Sequence, residues 1–189
     1  MRGRQLGRAA ICLMTVGVTA SVTACGAGRE AAVAPPRPPT TGDVTAHREA
    51  DEQAAGKAAL DAYSGYLAAS RTASRRGDPH APELSRFLAD PLLTRVRMAI
   101  RDAKEHGAMR TGTLRSAPTV TAVSLDSDPP TVEIQDCLDA TGYRLVYTTD
   151  GRAVPGSGGK RYLATATATR YPDGRWLISA GAAHQDQPC

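Results

Sequence analysis

The spacing of the apolar residues changes once along this chain, near Gly107, and that change restricts the folds open to it. Before it, Ala55, Ala59, Leu60, Tyr63, Leu67 and Ser70 recur at the three-to-four-residue spacing of an α-helix. After it, runs rich in Val, Ile, Thr and Tyr alternate at every second residue, as half-buried strands do. Helices first and strands afterwards exclude the alternating order of a parallel sheet. They predict an α+β domain.

The boundaries follow from local signals. A long helix is expected from about Thr45 to Arg75, stopped by Gly77, Asp78 and Pro79. A short helix covers Glu83 to Ala89. A third runs from Pro91 to His106, with Leu92, Leu93, Val96, Ile100 and Ala103 on one face. Pro91 suits a first helical position and Gly107 the C-terminal stop. Strands are expected at 119–125, 131–138, 143–148, 161–171 and 175–180, with a short first strand at 113–116. Asp173-Gly174 signals a hairpin and Asp150-Gly151 a second turn. Asp139 is expected to start a turn toward Gly142. Gly156, Ser157, Gly158 and Gly159 read as a longer, mobile hairpin loop. The chain has 189 residues, which suits one ordinary domain, placed at 44–189.

The N-terminus carries a different message. Arg2, Arg4 and Arg8 precede an apolar run from Ala9 to Val22, and small residues follow. That is the layout of a secretory signal. The run of about 14 residues is short of the ~20 that a spanning helix needs. Val22-Thr23-Ala24-Cys25 resembles the bacterial lipobox, with Thr23 departing from its usual Ser or Ala. The resemblance implies that residues 1–24 are a signal peptide. It also implies that the Cys25 thiolate receives a diacylglyceryl group, with palmitate among its acyl chains. Two acyl chains are enough for stable anchoring. The protein is then expected at the outer face of the cytoplasmic membrane. The alternative is an ordinary cysteine after a conventional cleavage site, for which Ala20 and Ser21 offer no better placement. Residues 25–43, with Pro35, Pro36, Pro38 and Pro39, read as an extended stalk.

Cysteine use and charge follow from this reading. Of four cysteines, Cys12 leaves with the signal and Cys25 takes the lipid. Cys137 and Cys189 remain, in a compartment where disulfides persist, and are expected to pair. The closed loop of about 50 residues is worth on the order of 4 kcal/mol by chain entropy. The net charge of +4 falls to +1 once three arginines leave with the signal, since no acid lies there. Such a chain gives no support to a nucleic-acid partner, which needs clustered basic charge. Lys160-Arg161-Tyr162 and Arg170-Tyr171 read as solvated strand ends.

The order of elements from Val44 to Cys189 is similar to the cone fold of nuclear transport factor 2 and ketosteroid isomerase relatives. The resemblance implies three N-terminal helices followed by a curved antiparallel sheet of five to six strands, with a pocket between them. In that family's enzymes an acidic side chain in the pocket moves a proton. Asp136 shares an apolar strand face with Val132, Ile134 and Leu138. Desolvation there favours the neutral acid, as a general base near neutral pH requires. Tyr63 or Tyr143 is placed to donate to it. The competing reading is that a bulge changes the phase, or that Asp136 bonds backbone amides or an arginine. His47, His80, His106 and His184 show no ligand spacing, so no metal is expected. The Gly156–Lys160 segment precedes a strand and lacks the spacing of a phosphate loop. No nucleophile elbow or zinc-protease motif occurs, and no cofactor is expected. The leading reading is a non-catalytic binding or accessory module held at a membrane, for a small ligand or an envelope protein. The alternatives are an isomerase- or cyclase-like enzyme using Asp136 and a scaffolding subunit of an envelope complex.

Overall fold

A computed structural model describes residues 41–189. The expectations for the signal peptide, for Cys25 and for stalk residues 25–40 lie outside the described residues. Thr41, Gly42 and Asp43, assigned to the stalk from sequence, open the first helix instead.

Helix α1 spans Thr41–Arg76, 36 residues and so about 54 Å. Alanine, the strongest helix former, is its commonest residue, and it holds no proline. Gly77 ends it at φ 61°. The next amide, of Asp78, donates to the Ala73 carbonyl at 3.0 Å, closing the last turn. Residues 42–51 are exposed. The buried stripe begins at Ala55 and continues through Ala59, Ala62, Tyr63, Ala69 and Ala73. Helix α2 is Leu84–Phe87. Gly65 makes room for it, because a Cβ there would run into the Phe87 ring. Helix α3 spans Leu92–Glu105. Asp90 caps it by accepting from Thr94 N at 3.1 Å and Thr94 Oγ1 at 2.6 Å.

Five antiparallel strands follow: β1 Ala108–Arg115, β2 Thr119–Ser124, β3 Thr131–Tyr147, β4 Arg161–Arg170 and β5 Trp176–His184. Their order is β1-β3-β4-β5, and β2 also pairs with β3. β1 lies along the C-terminal half of β3, from Asp139 to Tyr147. β2 lies along its N-terminal end, from Thr131 to Gln135. The molecule is thus α+β with an open antiparallel sheet. The core joins the α1 stripe to Leu84, Leu88, Leu93, Ile100, Val132, Ile134, Ala166, Ala168 and Ile178.

Four sequence expectations need correction. No turn occurs at Asp139; β3 is continuous for 17 residues. Asp139 does accept from Thr141 N at 3.0 Å and from Thr141 Oγ1 at 2.6 Å, the local bonds of a turn starter. The β1–β3 register, however, slips between Thr113 and Arg115, and β3 absorbs the extra residue as a bulge. The β1 ladder on one side, and β4 continued by the 152–160 segment on the other, outweigh the local turn preference. The first strand starts at Ala108, five residues earlier than expected from Thr113. The last strand, expected at 175–180, runs on to His184, which pairs with Leu163.

The Gly156–Gly159 segment, finally, is not a free loop. Gly159 N donates to Tyr143 O at 3.1 Å, Val154 N to Leu145 O at 3.0 Å, and Ser157 Oγ to Val154 O at 2.7 Å. Gly159 must lack a side chain, since a Cβ would strike the Ala140 carbonyl.

The Cys137–Cys189 disulfide is present, joining residues 52 apart with Cα atoms at 5.8 Å. Among the described residues no helix is long and apolar enough to cross a membrane.

Candidate functional site: a basic, tyrosine-lined cavity

Two polar places lie within the apolar interior, and they differ in how they are satisfied. The first is Asp136, which is 1% exposed. Between Gln135, the last partner of β2, and Asp139, the first partner of β1, one side of β3 has no strand neighbour. Residues 116–118, which join β1 to β2, fill that gap. Asp136 Oδ1 accepts from Ala117 N at 2.8 Å, and Oδ2 accepts from Ser116 Oγ at 2.7 Å. Tyr63 Oη, from α1, donates to the same Oδ2 at 3.1 Å. Burial, followed by the negative field of Asp136, pushes the Tyr63 phenol well above its ordinary value, so it stays a donor. The residues named from sequence therefore separate. Asp136 and Tyr63 meet, whereas Tyr143 lies elsewhere. Asp136 holds a strand crossover and lines neither of the two cavities described below.

The second place is a cavity of about 590 Å³ between α1, α3, β1, β3 and the Gly156–Lys160 segment. Leu67, Val96, Ile100, Leu138 and Leu145 give it apolar walls. Tyr66, Ser70, Arg71 and Ser74 enter from α1, one turn apart on one side of the helix. The β3 bulge decides which strand residues reach it. Leu138 and Ala140 line it before the bulge, and Tyr143 and Leu145 after it, so the odd positions take over from the even ones. Tyr162 and Lys160 enter from the start of β4 and the segment before it. A smaller cavity of about 180 Å³ shares Tyr66, Leu67, Leu138 and Tyr162 with it and adds Tyr63.

The electrostatics of the large cavity are one-sided. Arg71, Arg110 and Lys160 line it, and no Asp, Glu, His or Cys does. Among the described residues none of these three cations takes part in an ion pair. The Arg110 guanidinium lies 6.0 Å from the centroid of the Tyr143 ring, within reach of a cation–π contact. Ser70 Oγ and Arg71 Nε are buried without a hydrogen-bond partner, which is uncommon for polar atoms out of contact with water. Burial raises the phenol of Tyr143, against the Ser74 hydroxyl and the positive fields of Arg110, Arg71 and Arg75. Burial likewise raises Tyr66 and Tyr162. All three phenols are therefore neutral donors at physiological pH.

Sequence reading missed most of this site. Lys160 is exposed, as expected of a solvated strand end, but it and the half-buried Tyr162 also line the cavity, which the strand-end reading did not foresee. The one available signal was on α1, where Tyr66, Ser70, Arg71 and Ser74 form a polar strip beside the alanine stripe. Nothing in the strand sequences located Arg110, because its placement depends on the β1–β3 register. Among the described residues no group of three or more His, Cys, Asp or Glu is gathered to hold a metal ion. Neither the known protein-family models nor the curated proteins match the chain.

Proposed function

We propose that this protein is a non-catalytic binding module, tethered through a lipid on Cys25 to the outer face of the cytoplasmic membrane, and that the large cavity is its ligand site. The observation that carries the binding reading is the cavity itself. It has the size of a small-molecule site, apolar walls and convergent polar groups, and its lining holds no carboxylate, histidine or cysteine. The Cys137–Cys189 disulfide supports an extracytoplasmic location, where such bonds persist. The register shifts in the β1–β3, β2–β3 and β4–β5 pairs support a sheet bent in the manner of the cone fold, since bulges bend strands.

The competing functions have less support. An enzyme using Asp136 needs that carboxylate open to substrate, and three donors already occupy it. A scaffold docking through its sheet needs a broad apolar face. Among the described residues the exposed large hydrophobics are Val44, Met98 and Tyr147, each on a different element.

The test is mass spectrometry of the protein from its native membrane. The denatured chain is expected to begin at Cys25, to carry a diacylglyceryl group, and to gain two hydrogens on reduction. Under gentle ionisation it is expected to retain a small molecule that the cavity-filling variant Ala99→Trp lacks. An unmodified chain would refute the tether, and identical gentle spectra for both proteins would refute the binding site.

A further inference from the structure

We infer that the cavity takes an anionic amphiphile, an apolar body carrying one carboxylate or phosphate group. This rests on the binding reading above and names its ligand class. Among the described residues Arg48, Arg76, Arg115, Arg152 and Arg175 pair with carboxylates and several surface arginines do not, so a missing partner is informative only where cations share one enclosed space. Arg71, Arg110 and Lys160 have none, although they line one cavity. Arg71 Nε and Ser70 Oγ are adjacent in sequence, buried, and without an acceptor or donor to match them. An anionic oxygen satisfies both at once, and hydrogen bonds to a charged group are the strong kind. The three neutral phenols add further donors.

The other ligand classes fit less well. A cationic ligand finds no carboxylate in the lining, and the Tyr143 ring already has Arg110 beside it. A bare inorganic anion would leave most of about 590 Å³ and its leucine, valine and isoleucine walls unfilled. A neutral apolar molecule would bury the cations further from water with nothing in exchange. Only a ligand with both an apolar body and an anionic head uses both kinds of wall.

The experiment is calorimetric titration of the full chain carrying Cys25→Ala, prepared without detergent. The probes are dodecanoate, dodecyl phosphate, dodecanol, dodecyltrimethylammonium and inorganic phosphate. The two anionic amphiphiles are expected to bind at least about tenfold tighter than dodecanol, the scale of a charge-assisted hydrogen bond. The better of the two identifies a carboxylate or a phosphate head. Shortening the tail is expected to weaken binding by about fourfold per methylene. Lys160→Met, on an exposed stem, and Arg71→Met are expected to remove the anionic preference while dodecanol binding persists. Dodecanol binding as well as dodecanoate, or an anionic preference unchanged in both variants, would overturn the ligand class and leave the binding site standing. No binding by any amphiphile, with Ala99→Trp indistinguishable from the parent, would overturn the site as well.

Discussion

The Asp136 corner and the cavity both place polar groups against an apolar core, and they do so in opposite ways. At the corner every charge is answered. One carboxylate takes three donors, from a helix, a backbone amide and a serine. In the cavity three cations and several hydroxyls line one space with no anion opposite them. A buried polar group with its partners in place fixes architecture. Arg71 Nε and Ser70 Oγ, buried without partners, are a standing cost recovered only when something else binds, whereas Arg110 and Lys160 are exposed to water. The contrast separates a structural acid from a ligand site more cleanly than burial does.

The largest effect expected on the corner side comes from the bond beside it. Cys137 follows Asp136 in β3 and points to the other face of the sheet. Cys137→Ser removes a crosslink between residues 52 apart, worth ~4 kcal/mol by loop entropy. For a domain of this size that corresponds to a fall of about 10 °C in melting temperature by calorimetry. Because the effect acts on the unfolded chain, dodecanoate affinity should hardly change. A large loss of affinity would mean that the bond shapes the cavity, and the two regions would no longer be independent.

Asp136→Ala comes next. It strands the Tyr63 hydroxyl in the interior, takes the acceptor from the part-buried Ala117 amide, and is expected to cost ~3 kcal/mol in urea unfolding. Asp136→Asn keeps an oxygen for Ala117 but turns an amide toward two hydroxyls, and should cost about half as much. Ligand binding at a temperature where both variants are folded should survive. Loss of binding in folded Asp136→Asn would bring Asp136 into the site and revive a catalytic reading.

Tyr63→Phe removes one of the three donors and leaves the other two, so about 1 kcal/mol is expected from the same unfolding curves. The figure also shows what sequence allowed. Asp136 on an apolar face was legible from two-residue alternation, and so was a tyrosine donor. Which tyrosine was not legible, since Tyr63 and Tyr143 differ only through the β3 bulge, which turns Tyr143 toward the cavity. The helical first half, the strand-rich second half and the Cys137–Cys189 pair were legible because each follows from local periodicity or from counting. The join of 131–138 to 143–148 into one strand was not. Asp139 and Gly142 carry turn chemistry, and it is overridden by the β1 ladder on one side and, on the other, by β4 up to Asp139 and the 152–160 segment beyond it. The cavity was hidden for the same reason. Its cations come from α1, from β1 and from the segment before β4, and only the tertiary register brings them together.

The smallest expected effect tests the comparison most directly. Arg71→Met replaces a guanidinium whose Nε has no partner with an apolar chain of similar length. If Arg71 waits for a ligand, the unliganded protein loses no hydrogen bond at that atom and sheds a desolvation cost. Its stability should then lie within about 0.5 kcal/mol of the parent, or slightly above it. With saturating dodecanoate the order should reverse, because only the parent gains the full stabilisation from binding. A loss in the unliganded state as large as that of Tyr63→Phe would show that Arg71 already serves the fold. The cavity would then resemble the Asp136 corner, and the case for an anionic ligand would have to rest on Arg110 and Lys160 alone.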